Sequence, residues 1–228
     1  MSQLLFAEAA EVLETSKDFT RIKSLYDGYE GWVQSSQLTA VDEAFANTTP
    51  LGYTYKRNTP IIFNGSQMFL SVGTPILSHK IFGQYDVAYA EEYVLEHKKF
   101  EFDSYIIKTV ALLFENVPYL WGGKSSFGID CSGLAQQVFK IFDKKLLRDA
   151  YLQATQGETI PTLEDVATGD LAFFDNEEGR ITHVGILLKH DEIIHASGKV
   201  RIDTIDSEGI TNRDTQARTH HLCLIKRY

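Results

Sequence analysis

Pro118-Tyr119-Leu120-Trp121-Gly122-Gly123-Lys124-Ser125-Ser126-Phe127-Gly128-Ile129-Asp130-Cys131-Ser132-Gly133 separates two segments of different texture. Upstream, Asp103 or Ser104 is placed to cap a helix with Ile106, Val110, Leu113 and Phe114 at helical spacing, ending before Pro118. Residues 122–128 read as a glycine-rich loop, and a second helix begins at about Cys131, with Leu134, Val138, Ile141 and Phe142 as its buried stripe. From Gly169 onward the pattern turns to strands: Leu171-Ala172-Phe173-Phe174, residues 182–188, Ile193-Ile194-His195-Ala196 and His221-Leu222-Cys223-Leu224-Ile225. Helices first and an antiparallel sheet afterwards predict an α+β domain over residues 100–228.

Residues 1–90 are built differently. Ala10-Glu11-Val12-Leu13-Glu14 and Phe19-Thr20-Arg21-Ile22-Lys23-Ser24-Leu25 alternate apolar with polar, the period of half-buried strands. Asp27-Gly28 reads as a tight turn before a strand at Gly31-Trp32-Val33. Asn64-Gly65 reads as a hairpin turn between Pro60-Ile61-Ile62-Phe63 and Met68-Phe69-Leu70-Ser71-Val72. Many short strands punctuated by turns predict a small β-barrel, with the domain boundary in the charged segment 90–100.

The 228 residues suffice for one large domain or two small ones. With 22 Lys+Arg against 31 Asp+Glu the net charge is −9, which argues against nucleic acid or an anionic membrane as the main partner. No run approaches the roughly 20 apolar residues of a membrane span. Met1-Ser2-Gln3-Leu4-Leu5-Phe6-Ala7-Glu8 lacks the order of a secretory signal, so the sequence reads as cytoplasmic. Two cysteines, Cys131 and Cys223, cannot build a disulfide framework or a four-cysteine zinc site. Oligomeric state has no signature here.

Cys131 stands at a helix start, where the dipole and unpaired N–H groups lower a thiol from about 8.5 toward roughly 3.5–7.5 and offer donors to an oxyanion. Alone, a cysteine beside glycine reads more simply as a small buried residue. His183 and His195 each interrupt an apolar strand, twelve residues apart around a polar turn. That hairpin brings the rings together, on one face where the register is even. A cysteine at a helix start with two facing histidines suits a nucleophile, a base and an orienting group. The spacing fits a pair of hydrogen-bonded core histidines equally well. His79, His97 and His190 sit in polar contexts and read as surface residues. His220-His221 hints at metal binding, yet no acidic or cysteine partner stands at ligand spacing. Cys223, between Leu222 and Leu224, reads as core filler.

The opening stretch is followed in order by Gly169-Asp170-Leu171-Ala172-Phe173-Phe174, His183-Val184-Gly185 and Ile194-His195-Ala196-Ser197-Gly198. Together these blocks resemble the NlpC-type cysteine peptidases, papain-like bacterial enzymes that cut peptidoglycan peptides. Gln3-Leu4-Leu5-Phe6-Ala7-Glu8 and Tyr29-Glu30-Gly31-Trp32-Val33 resemble the bacterial SH3-like domains that accompany them. With Arg148-Asp149-Ala150 they point to the γ-D-glutamyl-L-diamino acid endopeptidase subgroup. Two departures stand out: the family position of Ala7 is usually glycine, and the barrel looks shortened ahead of Ser2.

The resemblance implies Cys131 as nucleophile, His183 as general base, His195 as its orienting partner and Tyr119 beside the oxyanion. It implies Asp130 and Ser132 lining the substrate groove, with Glu8, Tyr29 and Asp149 holding the free α-ammonium of the substrate's L-Ala. No metal and no organic cofactor is implied. The expected fold is therefore an SH3-like β-barrel over residues 1–90, closing one end of the groove, followed by a papain-like NlpC-type domain over 100–228. The expected activity is hydrolysis of the γ-D-Glu–diamino acid bond in peptidoglycan-derived peptides with a free N-terminal L-Ala, in cell-wall peptide recycling. Two rivals share the pattern: a papain-like amidase or acyltransferase with the same triad, and a peptidoglycan-binding module with a vestigial catalytic domain.

Overall fold

The computed structural model describes residues 1–77, 81–82, 85–89, 94–96 and 102–228. His79, His97 and most of segment 90–100 lie outside them. Contacts divide the chain into two compact units, Met1–Lys99 and Phe100–Tyr228.

In the first unit, Ala10–Ser16, Phe19–Ser24 and Glu30–Gln34 form an antiparallel sheet. Alternation along Phe19–Ser24 buries Thr20, Ile22 and Ser24 and leaves the residues between them exposed. The later strands do not join that sheet. Gly52–Thr54 pairs with Pro75–Ile76 and Val94–Glu96, and Asn58–Phe63 pairs with Ser66–Ser71 and Tyr85–Tyr89. Where the sequence predicts one small barrel, the described strands hydrogen-bond as three sheets. The Asn58–Phe63 hairpin turns on Asn64 and Gly65, both left-handed at φ 48° and 77°, as a two-residue turn between twisted strands requires. Its apolar cluster of Ile61, Leu70, Ile76 and Val87 is joined by Phe6, whose ring meets Phe63 edge-on at 5.7 Å.

The second unit opens with a helix at Ser104–Leu112, where the Asp103 carboxylate accepts from the N–H groups of Tyr105 and Ile106. Ile107, Val110 and Ala111 face inward, so Ile107 takes the place predicted for Ile106. The next helix, Cys131–Lys140, is buried at all ten positions, polar ones included, and packs against two strands, Ile181–Lys189 and Glu192–Ser197. The expected apolar stripe is therefore only part of its buried surface. A Cβ at Gly133 would stand 2.3 Å from the Gly123 carbonyl oxygen, so glycine there lets the loop lie directly on the first helical turn.

Six antiparallel strands follow: Leu171–Asp175, Ile181–Lys189, Glu192–Ser197, Lys199–Asp206, Gly209–Thr211 and Arg218–Arg227. The last pairs with both its predecessor and Leu171–Asp175, closing the six into a barrel, and Glu158–Ile160 adds a further strand beside it. Every one of the six supplies a residue to one core: Ala172, Phe174, Leu187, Ile193, Ile205, Ile210 and Ile225. Cys223 is exposed rather than core filler. The register jumps from Phe173↔Leu224 to Phe174↔Leu222, and this bulge leaves Cys223 as the extra residue. Among the described residues no helix is long and apolar enough to cross a membrane.

Candidate active site

Asp130 caps the helix that starts at Cys131. Its Oδ1 accepts from the Gly133 N–H at 2.7 Å and its Oδ2 from the Gly122 N–H at 2.8 Å, tying loop and helix together. The Arg148 guanidinium, 1% exposed, donates to both oxygens at 3.0 and 2.7 Å and to Ser132 Oγ at 2.8 Å. A buried guanidinium needs a paired carboxylate, and the fork matches it bidentately. Asp130 and Ser132, expected to line the groove, are thus buried and bonded within the fold. Cys131 occupies the first helical turn that this network fixes, and the N–H of Val184, the residue after His183, is directed at its sulfur.

The two histidines meet through sheet register. His195 pairs directly with Gly185, so His183 is its diagonal neighbour on the same face. A Cβ at Gly185 would stand 2.6 Å from Ile193 Cδ1 and 3.0 Å from His195 Cβ; the bare backbone makes the room. His183 Nε2 lies 2.8 Å from His195 Nδ1, with the rings nearly perpendicular at 84°. The step repeats on the next strand. Asp203 pairs with Ile193, and its Oδ2 stands 3.0 Å from His195 Nε2.

His220 lies within the last strand and stacks on His183, centroids 4.1 Å apart and planes at 25°. Sequence reasoning missed Asp203 and this role of His220. The alternation in Val200-Arg201-Ile202-Asp203 marks a further strand but puts Asp203 with Arg201 on the polar face, so its burial had no signal in the sequence. No local signal marks His220, because the stacking depends on barrel closure.

The protonation states differ from the helix-start expectation. Burial and the charge of Asp130 push the Cys131 thiol up to about 11, outweighing the lowering from the Val184 and Ser132 backbone and Arg148. Burial, together with His195 and His220, holds His183 well below the ordinary imidazole value. His220 is brought down to about 4 by burial and His195. Tyr119 is pushed up to about 12 by burial and by the charges of Cys131 and Asp130, so its hydroxyl stays a proton donor. The ring nitrogens of His183, His195 and His220 lie within 4.8 Å of one another, a spacing that invites a metal ion. Coordination by all three would break the His183–His195 bond or the His195–Asp203 bond.

Asp149 is the N-cap residue of the short helix Ala150–Gln153, yet its half-buried carboxylate makes no capping bond there. In the first unit, Glu8 Oε2 accepts from the Leu5 N–H at 2.9 Å and the Tyr29 hydroxyl accepts from the Met1 amine. Ala7, where the resemblance expects glycine, is left-handed at φ 69°. His190 is exposed, as its polar context suggests.

Comparison with known proteins gives two family matches: the NlpC/P60 family over residues 116–219 and the bacterial dipeptidyl-peptidase Sh3 domain over residues 1–38. A gamma-D-glutamyl-L-lysine dipeptidyl-peptidase of Bacillus subtilis is 33% identical over 184 residues, 74% of this chain; the chain spans 60% of that protein's length. A Haemophilus influenzae protein described as "Probable endopeptidase" is 34% identical over 136 residues, 52% of this chain and 84% of that protein. The crystal structure of an NlpC/P60 family protein from Bacillus cereus shares the fold, with a TM-score of 0.79 over 99% of this chain and 81% of that chain at 22% identity.

Proposed function

Because this chain belongs to the NlpC/P60 family, we propose that it is a cysteine endopeptidase cutting the γ-D-Glu–diamino acid bond of peptidoglycan stem peptides that carry a free N-terminal L-Ala. The observation that carries this reading is a helix-start cysteine whose sulfur meets the N–H of Val184, next in sequence to a His183 that is hydrogen-bonded to His195. With Nε2 of His183 engaged by His195, Nδ1 is the nitrogen left to serve the thiol. Sγ of Cys131 attacks the γ-carbonyl carbon as its proton passes to His183 Nδ1. The resulting oxyanion is met by the Cys131 N–H, which has no acceptor within the helix, and by the Tyr119 hydroxyl. As the C–N bond breaks, His183 returns that proton to the leaving amine of the diamino acid. Water then attacks the thioester, gives its proton to His183 and releases L-Ala-γ-D-Glu with the thiol restored.

The free ammonium requirement draws support from Asp149, whose carboxylate makes no bond at the helix it heads. It fits a role on released wall peptides rather than on intact muramyl-linked strands. Glu8→Gln and Tyr29→Phe test the share the resemblance gives to the SH3-like region, which we assign to residues 1–90.

Mass spectrometry of L-Ala-γ-D-Glu-meso-diaminopimelate, its N-acetylated twin and the Cys131→Ala variant tests the whole reading. Cleavage of the free peptide alone, lost in the variant with the fold retained, is expected. Equal cleavage of both peptides removes the ammonium role from Glu8, Tyr29 and Asp149, and wild-type activity in Cys131→Ala removes the mechanism.

A further inference from the structure

We infer that Asp203 is a positioning residue for the reaction: by accepting a hydrogen bond from His195 Nε2–H it sets the tautomer of both histidines and leaves His183 Nδ1 as the base. The inference rests on the proposed peptidase reading for its use, but its geometry stands independently. Asp203 is 1% exposed and its two oxygens are fully engaged. Oδ2 takes the Arg201 Nε–H at 2.8 Å beside His195 Nε2 at 3.0 Å; Oδ1 takes Arg201 Nη2 at 3.0 Å and the Arg213 N–H at 2.9 Å. Arg201 is itself held by Asn212 Oδ1 at 3.0 Å and Asp214 Oδ2 at 2.9 Å.

Burial works against a charge on Asp203, yet the hydrogen bonds from His195, Arg201 and the Arg213 N–H carry it below the ordinary carboxylate value. An ionised carboxylate only accepts, so His195 Nε2 bears a hydrogen. In a neutral ring Nδ1 is then the acceptor. The 2.8 Å contact at that Nδ1 in turn requires His183 Nε2 to donate, which puts the His183 lone pair on Nδ1. No other order of donors satisfies both bonds while His195 is neutral and Asp203 is charged. The chain of diagonal neighbours thus converts one buried carboxylate, two strands away, into the protonation state of the base.

Long-range nitrogen–proton NMR spectra of histidine-labelled protein read the tautomers without any substrate. Wild type is expected to show the Nε2–H form of both His183 and His195. A His195 that carries its proton on Nδ1 alone, or on both nitrogens, overturns the inference. Asp203→Leu keeps a similar shape, removes the acceptor and leaves Arg201 its two other partners. It is expected to populate the Nδ1–H form of His183, slow Cys131 alkylation by iodoacetamide, and lower kcat at least roughly tenfold with KM little changed. Unchanged kcat and alkylation in a folded Asp203→Leu protein overturns it. Because NMR and alkylation need no peptide, a wild type inactive on stem peptides would sink the substrate reading while leaving this one standing.

Discussion

In the proposed cycle a single nitrogen, His183 Nδ1, takes and returns each proton, and its surroundings decide when it can. Burial, His195 and His220 all disfavour a charge on His183, while burial and Asp130 disfavour a thiolate on Cys131. Both shifts run against a standing thiolate–imidazolium pair. Both favour a thiol and a neutral imidazole before substrate arrives, so that in the proposed cycle the proton moves as sulfur attacks. A base held below the usual imidazole range stays neutral in mild acid. The acid limb of kcat/KM, which reports groups of the free enzyme, is expected below about 6.5, and a limb at or above that value would remove His183 as the base. His220→Phe keeps a stacked ring but removes one charge that holds His183 down, so the limb should move to higher pH. Cys131, Asp130, His195 and Asp203 stay in place, which confines the change to the stacked neighbour.

At the scale of elements, the proposed nucleophile depends on how the Cys131–Lys140 helix is held at its start. Asp130 supplies the cap, and Arg148 supplies the charge that keeps a carboxylate in the interior. Removing one partner of such a pair leaves the other buried and uncompensated. Arg148→Met should cost about 3–5 kcal/mol in urea unfolding of the second unit. A loss below about 1 kcal/mol would mean that water reaches Asp130 and that the pair is no anchor. The start of this helix, the His183 and His195 strands and the Asp103 cap of the preceding helix were legible because each rests on local pattern. Asp130 read as a groove residue because its partner, Arg148, comes from a separate loop that sequence spacing does not connect. Asp203 was hidden for a related reason. The strand Lys199–Asp206 begins directly after Ser197-Gly198, and its alternation puts Asp203 with Arg201 on the face that reads as polar. Tertiary pairing supplied what periodicity could not.

For the whole molecule, closing six strands into a barrel buries the His183 imidazole and half-buries that of His220, and that has a thermodynamic consequence. His183 is held well below the ordinary value and His220 at about 4, whereas both titrate near 6.5 in an unfolded chain. The sign follows from proton uptake. Below about 6.5 the unfolded state binds protons that the native state refuses, so stability is full above that pH and is lost progressively as pH falls toward the folded values. Each such proton contributes a slope of about 1.4 kcal/mol per pH unit. Asp206, lowered to about 2 by Arg218, and Asp203 add their own loss only at lower pH, where carboxylates of the unfolded chain begin to protonate. Hydrogen exchange of the amides in Ile181–Lys189 and Glu192–Ser197, corrected for intrinsic rates, reads this unit separately from residues 1–99. Protection should fall steadily between about pH 6.5 and 4.5, and His220→Asn should flatten the fall by removing one of the two protons. Protection that is level across that window would mean that water or an unseen partner lets the buried rings ionise. It would then also undercut the neutral resting site on which the proposed attack by Cys131 depends.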